Sequence, residues 1–354
     1  MRICYIFTNF HLLDVTGQPG IIYRLAKHVA KKEDVFILSN SRIESVLQRD
    51  GLNIFLIKGQ GDFRAYFINL FKVIRYLKNI KPDIIHVHGY LLTAVFFFIS
   101  KFSHAEFVCS VCETPEVVEN ILYRKAVFLC LKLVKKIFVT CEYIKVKLME
   151  KGIVAERIIV SRFGLDVKFL IDRLPVAENH DILYFGDSTK ERGFNIILDS
   201  ANRMPELKFL VLLRWQGGNC QQELKIMKGM LNVSIFYYPY VESLEEFIIQ
   251  SKLVILPYQW MGVRPPLSLI ESMALGKCVI TSCMEGNFEI IRNGYNGFAI
   301  DFTKLEKFIP IFYSLIKDKK LREKIGATAK RSIKELYALS ELDKFMTIYK
   351  CSQL

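Results

Sequence analysis

The segment Pro265–Ile280 carries residues that could bind a nucleoside diphosphate. Its two prolines end a loop, and a helix is predicted from Leu267 and Ser268 onward. The first N–H groups of that helix and the positive end of its dipole would attract an anion. Glu271 lies one turn along the helix, where its carboxylate can accept hydrogen bonds from the two hydroxyls of a ribose. An ordinary helix–strand unit with a solvent-facing glutamate fits the same pattern, so the segment alone leaves both interpretations open.

Three basic residues are placed where they could add positive charge to such an anion site. Arg264 directly precedes the two prolines, and Arg214 ends the predicted strand Phe209–Leu213. Lys190 follows the predicted strand Ile182–Phe185. A solvated surface position is the alternative for each of these cations, and the sequence leaves it open.

Two polar residues in the first half also follow predicted strands. His88 ends the strand Ile84–Val87 and is followed by Gly89, a position from which an imidazole can contact a substrate or an oxygen that gains charge. Glu113 follows the strand Phe107–Val111 and could bind a substrate hydroxyl. A buried or capping histidine and a plain loop acid are the alternatives.

Short apolar runs alternate with helical segments along the whole chain. This alternation predicts the α/β class, with doubly wound parallel sheets covered on both faces. A polar, proline-containing stretch over residues 172–180 separates two halves of similar pattern, so we predict domains at 1–172 and 173–335. A helical tail over Leu321–Lys350 follows, of which residues 336–354 are expected to pack back on the first domain. The predicted strands are Ile3–Phe7, Asp34–Leu38, Ile54–Ile57, Ile84–Val87, Phe107–Val111 and Ile137–Thr140 in the first half, and Ile182–Phe185, Phe209–Leu213, Ser234–Phe236, Leu253–Leu256, Cys278–Thr281 and Gly297–Ile300 in the second.

Positive charge is concentrated in the first half. Of the net charge of +13, residues 1–175 carry 26 − 16 = +10 and the remainder 23 − 20 = +3. The helix predicted over Phe63–Lys78 has an apolar stripe, expected to pack on its sheet, and a basic outer side. A second basic cluster runs from Arg124 to Lys136. These cations indicate an anionic partner, and we expect an anionic membrane surface. They are dispersed rather than interleaved with exposed aromatics, which argues against nucleic acid.

The cysteines and the N-terminus indicate a reducing compartment. Nine cysteines show no framework spacing, and Cys109 and Cys112 form a CxxC without a second pair or a nearby histidine. We therefore expect free thiols and no metal site. The first ten residues read as a strand, and the longest apolar run, Leu91–Ile99, is too short to span a bilayer. These features predict a cytoplasmic protein, peripheral to the inner face of the membrane.

Several motifs in order resemble those of glycosyltransferase family 4. The segment Pro265–Ile280 resembles its donor-binding motif, and Gly186 followed by Lys190-Glu-Arg-Gly193 resembles its glycine and Arg…Lys-Gly segment. Thr16-Gly17, Pro82–His88 and Glu156–Asp166 resemble further landmarks. The resemblance implies the GT-B fold, in which two Rossmann-like domains face each other across a cleft. It also implies a retaining hexosyltransferase that needs no resident cofactor and no obligatory metal, with a nucleotide sugar as donor and a glycan or lipid-linked acceptor.

The resemblance assigns roles residue by residue. Glu271 matches a glutamate that binds the ribose, and Arg192 matches a lysine that contacts the donor diphosphate. Gly17 and Gly186 match loop glycines, and Leu267 and Ser268 match positions whose amides face phosphate. The donor site is thus predicted to contain Gly17, Gly186, Arg192, Arg214, Arg264, Leu267, Ser268 and Glu271. The catalytic residues are predicted to be Arg192, Glu271 and His88, and the acceptor residues His88 and Glu113.

Three positions depart from the family pattern. Val263 stands where the family has a first glutamate, Asp187 where it has an arginine, and Cys112 where it has a histidine. A second hypothesis follows from these departures, namely a non-catalytic relative that binds a nucleotide sugar or supports a partner enzyme. A nicotinamide-dependent oxidoreductase would share the α/β alternation, but no Gly-x-Gly-x-x-Gly follows a strand.

Overall fold

The computed structural model describes residues 1–9, 17–59, 64–101, 103–163, 165, 167–171, 176–214, 217–237, 243–262, 264–338 and 340–351. The chain forms two compact units. The first contains Met1–Gly164, Gly262–Arg264 and Tyr337–Leu354, and the second contains Leu165–Met261 and Pro265–Leu336. These limits differ from the predicted boundary at residue 172, because the chain enters the second unit at Leu165 and three residues before Pro265 belong to the first.

The first unit is built on an eight-stranded sheet. Its strand order is β3-β4-β2-β1-β5-β6-β7-β8, and only β3 runs antiparallel to its neighbour. The central strands are apolar on both faces, because helices cover the sheet on both sides. The strands are β1 Arg2–Phe7, β2 Asp34–Ser41, β3 Ser45–Arg49, β4 Leu52–Lys58, β5 Ile84–His88, β6 Glu106–Val111, β7 Lys136–Val139 and β8 Ile158–Val160.

One helix predicted in the first unit is divided in the structure. The helix expected over Phe63–Lys78 is two helices, because Asn69 has a non-helical conformation and donates its side-chain amide to the carbonyl of Ala65 at 2.9 Å. Phe67 and Phe71, expected to pack on the sheet, are exposed, so that part of the prediction is wrong. The helices are α1 Gly17–Val29, α2 Ala65–Ile68, α3 Leu70–Ile80, α4 Tyr90–Ser100, α5 Ile121–Leu131 and α6 Glu142–Glu150.

The second unit has a six-stranded, fully parallel sheet with the order β11-β10-β9-β12-β13-β14. Two of its helices, α7 and α9, were not predicted from the sequence, and both are short. The strands are β9 His180–Gly186, β10 Phe209–Leu213, β11 Val233–Tyr237, β12 Ser251–Leu256, β13 Cys278–Ser282 and β14 Phe298–Ile300. The helices are α7 Val167–Leu170, α8 Phe194–Arg203, α9 Gln221–Met227, α10 Leu244–Ile249, α11 Leu267–Ala274, α12 Leu305–Lys317 and α13 Lys319–Leu336.

The last helix, α14 (Ser340–Cys351), packs within the first unit. Phe345 stacks on Phe138 of β7 with ring centroids 4.2 Å apart, and the Tyr349 hydroxyl lies 2.5 Å from Nδ1 of His86 in β5. The helical tail predicted over Leu321–Lys350 consists of two helices, because α13 ends at Leu336 and a separate helix begins at Ser340.

Each sheet reverses its direction of strand addition at one point. In the first unit the chain goes outward in both directions from β1 and β5, and in the second unit from β9 and β12. Loops that leave the carboxyl ends of such a strand pair diverge and leave a crevice, which is where open α/β sheets bind ligands. In the second unit the loop after Gly186 and the loop after Leu256 flank this point.

Candidate functional site

An aspartate and two arginines meet at the carboxyl end of β9. Asp187 accepts two hydrogen bonds from Arg214, from Nε at 3.2 Å and from Nη2 at 2.8 Å. The Nε of Arg192 lies 3.6 Å from the same carboxylate. The backbone fixes this geometry, since the Arg214 amide donates to the carbonyl of Gly186 at 3.1 Å. Two guanidinium groups around one carboxylate leave a net positive charge at the strand end.

Two further contacts hold the Arg192 side chain, and one holds its backbone. Its Nη1 donates to Sδ of Met261 at 2.7 Å, and its guanidinium lies 5.9 Å from the ring centroid of Tyr258. Its backbone amide donates to the Thr189 hydroxyl at 3.4 Å. One quarter of the side chain remains exposed, so the guanidinium is positioned by the protein and still accessible to an anion.

The loop between β9 and α8 lies directly against the loop after β12. Gly193 has φ 73°, and a Cβ atom at this position would lie 1.8 Å from the carbonyl oxygen of Pro257. The amides of Gln259 and Trp260 both donate to the carbonyl of Glu191 at 3.0 Å. The sequence motif around Gly193 therefore has a local cause, since only glycine permits both the positive φ and the close approach.

We expect Gly193→Ala to lower the free energy of unfolding by about 3 kcal/mol, because a left-handed residue and a steric overlap are imposed together. Gly294 has the same φ of 73° and nothing within 4 Å of its Cβ position. Gly294→Ala is the matched control, and it should cost only about 1 kcal/mol. Urea unfolding of both variants measures the difference. Equal losses would contradict the close approach of the two loops.

The N-terminus of α11 contributes donors to the same strand ends. The helix begins at Leu267 after Pro266, and no side chain caps it. The hydroxyls of Ser268 and Tyr258 share a short hydrogen bond. That bond ties the first turn of α11 to the loop after β12, which carries Tyr258. An uncapped helix N-terminus beside guanidinium groups has the donors and the field that a phosphate requires.

Glu271 lies on the second turn of α11 and is half-buried. Burial raises the pKa of the Tyr258 phenol to about 12, while Arg192 lowers it and the charge of Glu271 raises it. The Tyr258 hydroxyl is thus within electrostatic range of both the Arg192 guanidinium and the Glu271 carboxylate. Tyr258 is therefore a neutral hydroxyl near pH 7, able to donate to Ser268.

The structure brings together several residues predicted from the sequence and adds two that were missed. Gly186, Arg192, Arg214, Leu267, Ser268 and Glu271 all belong to the second unit and lie at the ends of its central strands or on α11. Asp187 was interpreted only as the loss of an arginine, and Tyr258 was not considered. Tyr258 follows Pro257 and lies two residues beyond a buried strand. This position in the sequence could have identified it as a candidate.

Arg264 belongs to the first unit. Its amide donates to the carbonyl of Cys112 at 3.2 Å, and its carbonyl accepts a hydrogen bond from the Thr140 hydroxyl at 2.6 Å. The guanidinium lies 6.0 Å from the Tyr143 ring, and the residue is 6% exposed. The prediction assigned this arginine to the second domain, and that assignment is corrected. Val263 lies outside the described residues.

His88 and Glu113 flank a small pocket at the carboxyl ends of β5 and β6. The lining residues are Ile21, Ile22, His88, Gly89, Cys112 and Glu113. Gly17 is the first residue of α1, the helix that supplies two of these apolar residues. The pocket is thus a feature of the first unit alone and lies at the reversal point of its sheet.

The His88 imidazole is nearly fully buried, with 7% exposed. It stacks on His86 at 4.4 Å between ring centroids and lies 6.0 Å from Phe163. Among the described residues neither ring nitrogen has a hydrogen-bond partner. Burial lowers the pKa of His88 well below its usual value, and the neighbouring His86 lowers it further. His88 is therefore a neutral imidazole at the pocket wall, and both of its ring nitrogens are buried.

Two features are absent from the described part of the chain. No group of three or more histidine, cysteine, aspartate or glutamate side chains is arranged to hold a metal ion there. Within the same residues, no helix combines the length and the apolar character that a bilayer span requires.

The two sheets define the chain as a two-domain, Rossmann-like α/β protein. The profile of Glycosyltransferase Family 4 matches residues 15–169, and the profile of glycosyl transferases group 1 matches residues 171–332. The chain therefore belongs to glycosyltransferase family 4, and its fold is GT-B. The resemblance read from the motifs is confirmed.

Curated relatives are distant. A UDP-Gal:alpha-D-GlcNAc-diphosphoundecaprenol alpha-1,3-galactosyltransferase from Escherichia coli is 22% identical over 209 residues, which cover 57% of this chain and 49% of the relative. Spore coat protein SA from Bacillus subtilis is 23% identical over 184 residues, covering 48% of each chain. The chain thus spans about half the length of the curated relatives that it matches.

Solved structures show the same fold. HepE from Anabaena in complex with UDP superposes with a TM-score of 0.81 at 14% identity, with 100% of both chains covered. Sucrose-phosphate synthase from Thermosynechococcus elongatus gives 0.79 at 14% identity, covering 99% of this chain and 98% of that one. At such low identity these similarities concern the fold alone.

Proposed function

We propose that this protein transfers a sugar from a nucleotide-sugar donor to a glycan, lipid-linked or cell-envelope acceptor, with retention of anomeric configuration. The observation that carries the proposal is the convergence of Arg192, Arg214 and the N-terminus of α11 at the ends of the central strands of the second unit, with Glu271 one turn along that helix. Family membership and this placement support the same donor site.

In the proposed site, the diphosphate lies against the Arg192 guanidinium and the amides of Leu267 and Ser268, and Glu271 accepts hydrogen bonds from the ribose. As the bond between the anomeric carbon and the diphosphate oxygen breaks, negative charge grows on the leaving group. Fixed cations and helix N–H groups stabilise that charge more in the transition state than in the ground state. The site supplies this positive charge from its own residues, so the proposed reaction needs no obligatory metal and no resident cofactor.

The proposed reaction balances without a protein nucleophile. The acceptor hydroxyl oxygen attacks the anomeric carbon on the face from which the diphosphate departs, and its proton passes to the departing phosphate oxygen. We place the acceptor at the pocket of the first unit, where the neutral His88 can accept or donate a hydrogen bond and Glu113 can bind a hydroxyl.

UDP is the proposed nucleotide, and the support comes from relatives. The E. coli relative uses UDP-Gal and a diphosphoundecaprenol-linked GlcNAc, and HepE has been crystallised with UDP-glucose. A polyprenyl diphosphate acceptor would also suit the excess positive charge of residues 1–175.

A panel of UDP-, GDP-, ADP- and CMP-sugars tests the proposal. We expect UDP to raise the melting temperature, and a UDP-hexose to release UDP when a polyprenyl-diphosphate sugar is added, both with EDTA present. Transfer that strictly requires a divalent cation would contradict the metal-free reaction. Binding of UDP without transfer to any acceptor would favour the non-catalytic alternative, and stabilisation by no nucleotide would refute the donor site.

A further inference from the structure

The outer surface of α2, α3 and α5 exposes large apolar side chains to solvent. On the first pair of helices Phe67 is 51%, Ile68 82% and Phe71 78% exposed. On and just after α5, Leu122 is 77%, Leu129 65% and Leu133 64% exposed. The spacing of the three leucines follows the helical repeat, so they form one stripe along α5. Single exposed apolar residues are common on soluble proteins, but aligned rows mark an interaction surface.

Both rows lie on the same side of the first unit. The helices α3, α4 and α5 connect β4 to β5, β5 to β6 and β6 to β7, which are neighbouring parallel strands from β5 onward. Right-handed connections in one direction across a sheet place their helices on one face. The core agrees, since one buried cluster includes Tyr66, Val73, Phe96 and Leu131 from successive helices. The sides of α3 and α5 that do not pack on this cluster therefore face outward together.

Cations are interleaved with these apolar residues, which differs from the dispersed arrangement predicted from the sequence, and acids are absent from the helices. None of α2, α3, α4 or α5 contains an aspartate or glutamate. Exposed basic residues stand between the apolar ones, with Arg75 and Lys78 following Phe71, and Lys125 and Lys132 flanking Leu129. Lys72 differs from these cations, because its ammonium group forms an ion pair with Glu44 at 2.6 Å. We call this surface the basic apolar face, meaning the exposed residues of α2, α3 and α5 together with Lys132 and Leu133.

We propose that the basic apolar face docks on an anionic lipid bilayer. Lipid head groups neutralise the lysines and arginines, while the phenylalanine and leucine side chains enter the boundary between head groups and acyl chains. Lysine stems suit this position, since they lie along apolar surface and keep the ammonium in the polar layer. Each added cation contributes to binding in proportion to the anionic lipid fraction, and each inserted apolar residue contributes at any ionic strength.

A second copy of the chain fits this face less well. Face-to-face association would bring the same lysines and arginines against each other without compensating acids on these helices, and like charges across an interface oppose association. An anionic bilayer provides both the negative charge and the apolar depth that the face requires. This inference stands independently of the donor site, which lies in the second unit.

Vesicle sedimentation tests the proposal. The full chain is mixed with vesicles of phosphatidylcholine, alone or with phosphatidylglycerol, and we expect binding only to the mixed vesicles. The double variant Phe71→Ser with Leu129→Ser should bind about tenfold or more weakly at all salt concentrations. The variant Arg75→Gln with Lys125→Gln should lose a similar factor at low salt, and the loss should shrink at high salt.

The matched control is Leu231→Ser with Phe288→Ser, which removes two exposed apolar residues from the second unit, 107% and 54% exposed. It should bind vesicles like the unmodified chain. UDP-induced thermal stabilisation, measured on every variant, reports folding and the donor site separately from lipid binding. Equal partitioning into neutral and anionic vesicles would overturn the proposal. A second result would also overturn it. If the unmodified chain were a dimer that did not bind vesicles, and the Phe71 and Leu129 changes made it a monomer, the face would belong to a second copy.

Discussion

Glu271→Ala should raise the dissociation constant for UDP about 100-fold. The proposed carboxylate accepts two hydrogen bonds from the ribose, and hydrogen bonds to a charged group are worth about 1.5–3 kcal/mol each, not fully additively. Glu271→Gln should lose about tenfold, because the amide keeps one acceptor oxygen. Calorimetric titration with UDP and with uridine measures both, and the loss should be the same for the two ligands, since both carry the ribose.

The control for this experiment is Glu246→Ala. Glu246 is an exposed acid in the first turn of α10, in the same unit. The Glu246→Ala variant should bind UDP like the unmodified chain. In the absence of ligand, it should have the same melting temperature as the Glu271→Ala variant. UDP affinity unchanged by Glu271→Ala would remove the ribose contact from the account.

Arg192→Met should lower kcat/KM for sugar transfer about 100- to 1000-fold. The guanidinium is held by Asp187, Met261 and Tyr258 in a fixed position, so it stabilises the leaving diphosphate without reorganisation. Arg214→Met should have a smaller effect, because the edge formed by its Nε and Nη2 is already engaged with Asp187. In contrast to the Glu271 variants, Arg192→Met should lower the affinity for UDP and leave the affinity for uridine unchanged, since uridine has no phosphate.

Arg203→Met serves as the control for charge alone. Arg203 ends α8 in the same unit and pairs with Asp199 at 2.8 Å and Glu306 at 2.6 Å. It should leave kcat/KM for transfer unchanged. Equal losses for Arg192→Met and Arg203→Met would mean that the net charge of the unit matters and that the position of Arg192 does not.

The parts of the site that lie close together in sequence could be predicted. Pro266, Ser268 and Glu271 lie on one helix start, where the order of residues fixes the geometry. The same holds for the alternation of strands and helices, which predicted two parallel-sheet domains.

The cluster around Asp187 could not be predicted, because it depends on strand order. Asp187 follows β9, Arg214 follows β10 and Tyr258 follows β12, and they meet only because the sheet places β9 between the other two. A sequence motif is compared one position at a time, so the comparison shows only that Asp187 stands where the family has an arginine. It could not show that this carboxylate fixes two other guanidinium groups.

Periodicity also failed where a helix is exposed on two sides. The repeat in Phe63–Lys78 cannot distinguish an apolar row that faces the sheet from one that faces solvent, and the turn at Asn69 changed the helical phase. As a result Val73 and Leu77 are buried while Phe67 and Phe71 are exposed. In the helical tail, no proline or glycine marks the break between Leu336 and Ser340, so its position could not be predicted from the sequence.

A crystal structure of the chain with UDP is the most direct measurement of the central claim. It should show the diphosphate within hydrogen-bond distance of the Arg192 guanidinium and the Ser268 amide, with the ribose hydroxyls on the carboxylate of Glu271. UDP bound elsewhere on the chain, or bound here with Glu271 turned away from the ribose, would contradict the proposed donor site.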